Sequence, residues 1–299
     1  MPPAIRLIAA DLDGTLLTPL GQLSPRTIAA LQAAEGAGIH VVFATGRRQS
    51  FALQVLEPAG LNSATVLITS NGACTRTLSG TLIDRHLMPV ATAQQLCHDL
   101  SEFRDAMLFT FDRVGHGAMV VEQLESLEGS VANWVRMNAH EIARVSPLSH
   151  AFANGDEPVQ GMICGTIRRM AAVLAVLDAP TPTARKLRAA ISIHRTEYVL
   201  RDLCIVDLLP ADCSKGNALS RVAASLGIEA SDVMAIGDNL NDVEMLTWCG
   251  HPVIMGNSAN ELLLQAAEAG WHRTASNVED GAAQIIEAAL AGEFPKSSF

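Results

Sequence analysis

The sequence has no C-x-x-C pair and no cysteine grouped with closely spaced histidines, although it carries six cysteines, at 74, 97, 164, 204, 213 and 249. Neither a zinc site nor a redox motif is indicated, and the cysteines read as small core residues in a reducing compartment. No long basic run occurs among the 21 lysines and arginines, and the formal net charge is -10. Nucleic-acid backbones are held by clustered cations, so no nucleic-acid partner is expected. An anionic substrate would therefore need local positive charge, from a metal or a few placed basic residues. No uninterrupted apolar run is long enough to span a bilayer, and the apolar stretch of MPPAIRLIAAD is too short for a signal peptide. The expectation is a soluble, cytoplasmic protein with no membrane partner. There is also no G-x-x-x-x-G-K-[ST], and EGAGIHV lacks the third glycine of a dinucleotide fingerprint. Neither a fixed-period repeat nor a low-complexity segment is visible.

What is present is ample apolar material: 49% of 299 residues, enough for a sizeable core and about two domains. Short apolar runs end abruptly in small or polar residues, in RLIAADLDG, IHVVFATGR, TVLITSNGA, DVMAIGDNL and HPVIMGNSA. Runs of this length, apolar on both faces, predict strands buried in a parallel sheet. Helical patterns lie between them. In SPRTIAALQAAEGAG, Ser24 suits the N-cap, Pro25 the first helical position, and Gly36 or Gly38 the C-terminal end. KGNALSRVAASLG and NDVEMLTWCG repeat the plan, which is the α/β signature. Open parallel sheets bind ligands at the carboxyl ends of their strands, where these polar clusters fall.

The middle reads differently. It combines a hairpin-like AMLFTFDRVGHGAMVV around Gly115, amphipathic helices in ATAQQLCHDLSEF and RRMAAVLAVLDAP, and a strand in ISIHRTEYVLRD. This predicts an α+β domain over 85–209, inserted into an α/β domain made of 1–84 and 210–299.

In DLDGT, Asp13-Gly14 can be a simple chain reversal. Alternatively, residues i and i+2 at a strand end face the same way, so that Asp11 and Asp13 converge on one cation or phosphate. An EF-hand is set aside, because the further ligands and the glycine at position six are missing. In ATGR, Thr45 either caps the next helix or joins exposed backbone N–H groups in a phosphate cradle. Arg47 suits an ion pair with an acidic residue as well as it suits substrate. Lys215, in CSKGNAL, stands at a helix N-terminus, where the dipole disfavours a cation by about 0.3 to 1 kcal/mol. It is either a solvated lysine that swings away or a functional one. In AIGDNLNDVEML, Asn241 or Asp242 caps a helix, while Asp238 can leave the strand end toward a metal that the other two support. Such a hard oxygen donor set suits magnesium.

The ordered set DLDGTLL, ATGR, SNGA, SKGNAL and GDNLNDVEML resembles the haloacid dehalogenase-like hydrolases, and within them the Cof-type (subfamily IIB) phosphatases. The resemblance covers 1–84 and 210–299. It implies a Rossmann-like parallel-sheet core with an inserted α+β cap over 85–209, and a magnesium-dependent phosphatase acting on a small phosphorylated substrate. Carried onto this chain, it makes Asp11 the nucleophile and a magnesium ligand. Asp13 becomes general acid and base and a ligand through its backbone carbonyl, and Asp238 completes the protein ligands. Thr45 and Gly46 hold the phosphoryl group, Lys215 neutralises it, Asn241 lies beside it and Asp242 supports the ligands from behind.

The residues support this chemistry apart from the family name. A carboxylate approaches a phosphate dianion only when cations screen the repulsion, and Asp11 could then form an aspartyl phosphate with Asp13 moving the protons. The inserted domain would exclude water and recognise the non-reacting part of the substrate; His116 in the FDRVGHG loop could contribute, but an ordinary surface histidine is the preferred reading. A phosphomutase, or a non-catalytic sensor of a phosphorylated ligand, are the alternatives. Retention of both aspartates argues against a sensor. Oligomeric state has no signature in the sequence.

Overall fold

A computed structural model describes residues 5–293. In chain order it begins with β1 (Leu7–Ala10), α1 (Pro25–Gly36), β2 (His40–Ala44), α2 (Gln49–Leu56), β3 (Val66–Thr69), β4 (Cys74–Thr77) and β5 (Leu82–Arg85). The middle holds α3 (Val90–Asp99), β6 (Met107–Thr110), β7 (Met119–Val121), α4 (Glu125–Asn138) and β8 (Ile142–Arg144). It continues through β9 (Gln160–Gly165), α5 (Ile167–Leu177), α6 (Pro182–Ala190), β10 (Ile191–Tyr198) and β11 (Leu203–Pro210). The last part is α7 (Lys215–Ser225), β12 (Val233–Gly237), α8 (Val243–Trp248), β13 (His251–Ile254), α9 (Asn260–Ala269), β14 (His272–Arg273) and α10 (Gly281–Leu290).

Two compact units result, one from residues 5–85 with 214–293, the other from 86–213. The first is built on a sheet of order β14-β13-β12-β1-β2-β3-β4-β5, parallel from β14 to β3 and antiparallel through β4 and β5. Every residue of β1 is buried because both faces are covered. Ile8 and Ala10 join Phe43 and Leu67 beneath α1, α2 and α10, while Leu7 and Ala9 join Val42 and Ala44 beneath α7, α8 and α9. β1 pairs with β2 on one side and β12 on the other, so the strand order reverses at β1. That reversal opens a crevice at the carboxyl ends of β1 and β12.

Local signals act as the sequence suggests in α1, where Ser24 Oγ accepts from the Thr27 N–H at 3.0 Å and Pro25 opens the helix. The second unit is a sheet of order β10-β11-β9-β6-β7-β8, antiparallel except for β7 beside β8. One face packs Met107, Phe109 and Ile163 against α3, α5 and α6; the other packs Leu108, Met119 and Cys164 against residues of α4. All six cysteines are free and buried, and burial pushes the Cys97, Cys164 and Cys249 thiols up to about 12, so these stay neutral core residues. No helix among the described residues is long and apolar enough to cross a membrane.

Candidate active site

β1 ends at Ala10, and the Asp11 N–H extends its pairing by donating to Ile236 O at 3.0 Å. Ala10 stands opposite Ile236, so Asp11 and Asp238 lie close together at the ends of adjacent strands. The chain then turns through Gly14 at φ 86°, and a Cβ there would fall 2.2 Å from Asp238 Oδ2. Glycine is required on both counts. Thr15 Oγ1 donates to Asp238 Oδ1 at 3.2 Å, and Asn257 Nδ2 donates to Gly14 O at 2.8 Å, fixing the turn against the neighbouring strand end.

Lys215 enters from the first turn of α7, which is capped by Ser214 Oγ accepting from the Asn217 N–H at 3.0 Å. It is fully buried, and its Nζ donates to Asp11 Oδ1 and to Asp242 Oδ1, each at 2.6 Å. The solvated alternative is thereby removed. Asp242 Oδ2 accepts from the N–H groups of Asp238 and Asn239 at 3.0 Å, so both its oxygens are committed. Neither Asn241 nor Asp242 provides the side-chain cap expected from the sequence. Asn239 caps the short helical turn Leu240–Asp242 instead, and Asp242 closes the capping box by reaching back to the backbone.

Burial pushes Asp11 from the ordinary 3.8 up to about 7; Lys215 pulls against that rise, while Asp242 and Asp13 add to it. Burial also drives Asp238 well above its ordinary value, reinforced by Asp11 and Asp242. Burial opposes the charge on Lys215, but Asp11 and Asp242 more than offset it and its pKa rises. The ammonium is well matched; the carboxylates are in excess. Oxygens of Asp11, Asp238 and Asp242 all lie within 4.8 Å of one another, with one lysine among them. A buried site with surplus negative charge and only hard oxygen donors fits a divalent cation such as magnesium.

The carboxylates of Asp11 and Asp13 do not converge as the i, i+2 argument predicts. Asp11 faces Lys215, whereas Asp13 takes a bidentate grip from Arg47, Nε to Oδ2 at 2.7 Å and Nη2 to Oδ1 at 2.6 Å. The reason is the turn: the strand has already ended, and period-two alternation does not extend past Ala10. The Asp13 backbone carbonyl is unaffected by where its carboxylate points.

Thr45 is buried directly after β2, and it does not cap α2, whose N-cap position is Arg48 without a side-chain capping bond. Its Oγ1 accepts from the Arg47 N–H at 3.1 Å, which folds Thr45, Gly46 and Arg47 into a tight loop. Asn71, at the end of β3, donates its N–H to Thr45 O at 3.0 Å and accepts at Oδ1 from Asn241 Nδ2 at 3.0 Å. Sequence reasoning quoted SNGA without singling out Asn71, and also missed Thr15 and Ser214. The readable signal was an Asn-Gly pair at a strand end. His116 is exposed on the β6–β7 loop of the second unit.

Fold and site together define a doubly wound α/β enzyme whose polar centre is a buried lysine among carboxylates. The chain belongs to the haloacid dehalogenase-like hydrolases: the sequence model of that family matches residues 8–286. The relatives it resembles within that family are named phosphatases. It is 29% identical over 262 residues to an HMP-PP phosphatase of Serratia proteamaculans, covering 86% of each chain. It is 27% identical to a 5-amino-6-(5-phospho-D-ribitylamino)uracil phosphatase of Bacillus subtilis, covering 97% of this chain and 100% of that one. A solved haloacid dehalogenase-like hydrolase from B. subtilis shares the fold, with a TM-score of 0.76 at 24% identity over 94% of this chain and 99% of that one.

Proposed function

We propose that this chain hydrolyses phosphomonoesters of small metabolites, such as sugar phosphates or cofactor phosphates, with Asp11 as nucleophile and magnesium as cofactor. Lys215 carries the reading: a fully buried ammonium, 2.6 Å from both Asp11 and Asp242, at the strand ends of a chain whose relatives are named phosphatases. Asp11, Asp238 and the Asp13 carbonyl would hold the metal, and Asp242 would support them through Lys215 and the backbone. When bound, the cation supplies Lewis-acid charge to the phosphoryl oxygens.

Thr45, Gly46 and Asn241 bind the phosphoryl group, and Lys215 offsets its charge. Asp11 Oδ attacks phosphorus in line, the phosphorus–oxygen bond to the leaving group breaks, and Asp13 gives that oxygen a proton. Water then attacks the aspartyl phosphate, Asp13 takes the proton, and Asp11 and inorganic phosphate are released.

The test is inorganic phosphate release from sugar, nucleotide and cofactor phosphates, with HMP-PP and 5-amino-6-(5-phospho-D-ribitylamino)uracil included. Magnesium-dependent release that disappears in Asp11→Asn is expected. Isomerisation without release would replace the reading with a mutase, and binding without turnover would replace it with a sensor.

A further inference from the structure

Residues 70–72 read Ser-Asn-Gly, and the backbone is left-handed at all three, with φ of 49°, 50° and 101°. At Gly72 a side chain has no room, since a Cβ would lie 2.2 Å from Ser214 O. Asn71 differs. Glycine would occupy its backbone conformation at lower cost, yet the position keeps a side chain with 0% exposure. Asparagine's tolerance of the left-handed region explains how the residue is accommodated, not what it is for.

Its contacts supply the purpose. The Asn71 N–H donates to Thr45 O at 3.0 Å, and its Oδ1 accepts from Asn241 Nδ2 at 3.0 Å. Its carboxamide also stands 3.2 Å from where a Gly46 Cβ would be. One residue therefore touches Thr45, Gly46 and Asn241, the groups assigned to the phosphoryl oxygens. With one amide hydrogen donated to Asn71, Asn241 retains a second for a ligand.

We propose that Asn71 is a positioning residue: its side chain fixes the Asn241 carboxamide in one orientation against the Thr45–Gly46 loop, so that both present donors to a single phosphoryl group. The inference rests on the phosphate-binding reading of that site. An unheld carboxamide rotates freely and must be ordered when the ligand arrives, which weakens binding. The role belongs to the side chain, because the backbone bond to Thr45 survives its removal.

The test is a double-mutant cycle on inorganic phosphate affinity, measured by calorimetry with magnesium, with kcat and KM on p-nitrophenyl phosphate alongside. Asn71→Gly deletes the side chain and relaxes the backbone, and a thermal melt run alongside shows that the variant is folded at the assay temperature. Phosphate affinity is expected to fall about tenfold, with KM rising by a similar factor. Adding Asn241→Ala then costs less than about twofold more, whereas alone it costs about tenfold. Asn71→Asp keeps the acceptor for Asn241, so Asn241→Ala in that background costs as much as in the wild type; Asn71→Ala, which also removes the acceptor, stands in if Asn71→Gly fails to fold. Independent, multiplying losses in the glycine background, or unchanged phosphate affinity in Asn71→Gly, overturn the proposal. Phosphate binding needs no turnover. An inactive wild type with the coupling intact would remove the hydrolase reading and leave the positioning role, and an active wild type with additive losses would do the reverse.

Discussion

Arg47 holds Asp13 through two parallel hydrogen bonds, Nε to Oδ2 at 2.7 Å and Nη2 to Oδ1 at 2.6 Å, across 34 residues of sequence. The planar guanidinium matches both carboxylate oxygens, so it sets the direction of the group as well as its distance. Asp13 is thereby kept out of the cluster formed by Asp11, Asp238 and Asp242.

Because the Arg47 and Asp13 side chains are 26% and 46% exposed, Arg47→Met should shift the melting temperature by less than about 3 °C. Its effect should fall on proton transfer. Turnover of alkyl phosphates is expected to drop about 10- to 100-fold, with a much smaller loss in the phosphorylation step for p-nitrophenyl phosphate, whose leaving group needs no proton. Equal losses in single-turnover measurements on both substrates would assign Arg47 to substrate binding instead.

Replacing Lys215 with Met leaves buried carboxylates without their counter-ion. Urea denaturation at pH 8 in chelator should show a loss of about 3 to 5 kcal/mol, and a smaller loss at pH 5, where the carboxylates take up protons. A change below about 1 kcal/mol at pH 8 would contradict the burial of the pair.

The metal-free protein should lose stability as pH rises. Asp11 has a folded-state pKa of about 7 against an ordinary 3.8, so between those values the folded chain binds more protons than the unfolded one. Stability then falls from about pH 4 to pH 7 and levels off above, by on the order of 4 kcal/mol from this group. Asp238 shifts in the same direction and adds to the slope. Denaturation midpoints in chelator, for wild type and Asp11→Asn, test the sign: the variant should flatten the profile.

Magnesium should reverse that trend by neutralising the surplus charge. At a hundredfold excess over the dissociation constant it would stabilise the folded chain by about 2.7 kcal/mol, and more visibly at pH 8 than at pH 6. Thermal melts should show this response lost in Asp238→Asn and retained in Asp13→Asn, whose backbone carbonyl is intact. Loss in both variants would move the Asp13 carboxylate into the metal's surroundings.

The alternation of apolar runs and amphipathic segments was legible because it is local. A strand buried on both faces must be apolar throughout, and a helix must signal its start, as Ser24 and Pro25 do. Placement of the polar clusters at strand ends followed from the same pattern. The sequence alone therefore determined the α/β core, the change of character in the middle, and the residues Asp11, Thr45, Lys215 and Asp238 as candidates.

Tertiary structure decided who faces whom. Lys215 meets Asp11 across 204 residues, a contact that strand order brings about and no local period contains. The direction of Asp13 was set by a turn needing glycine against Asp238, and by an arginine on another loop. Asn239 took the capping role because Asp242 was drawn to Lys215 and to the backbone of Asp238. Propensity and periodicity act over a few residues, whereas charge burial is settled by whatever the completed fold brings within hydrogen-bonding distance.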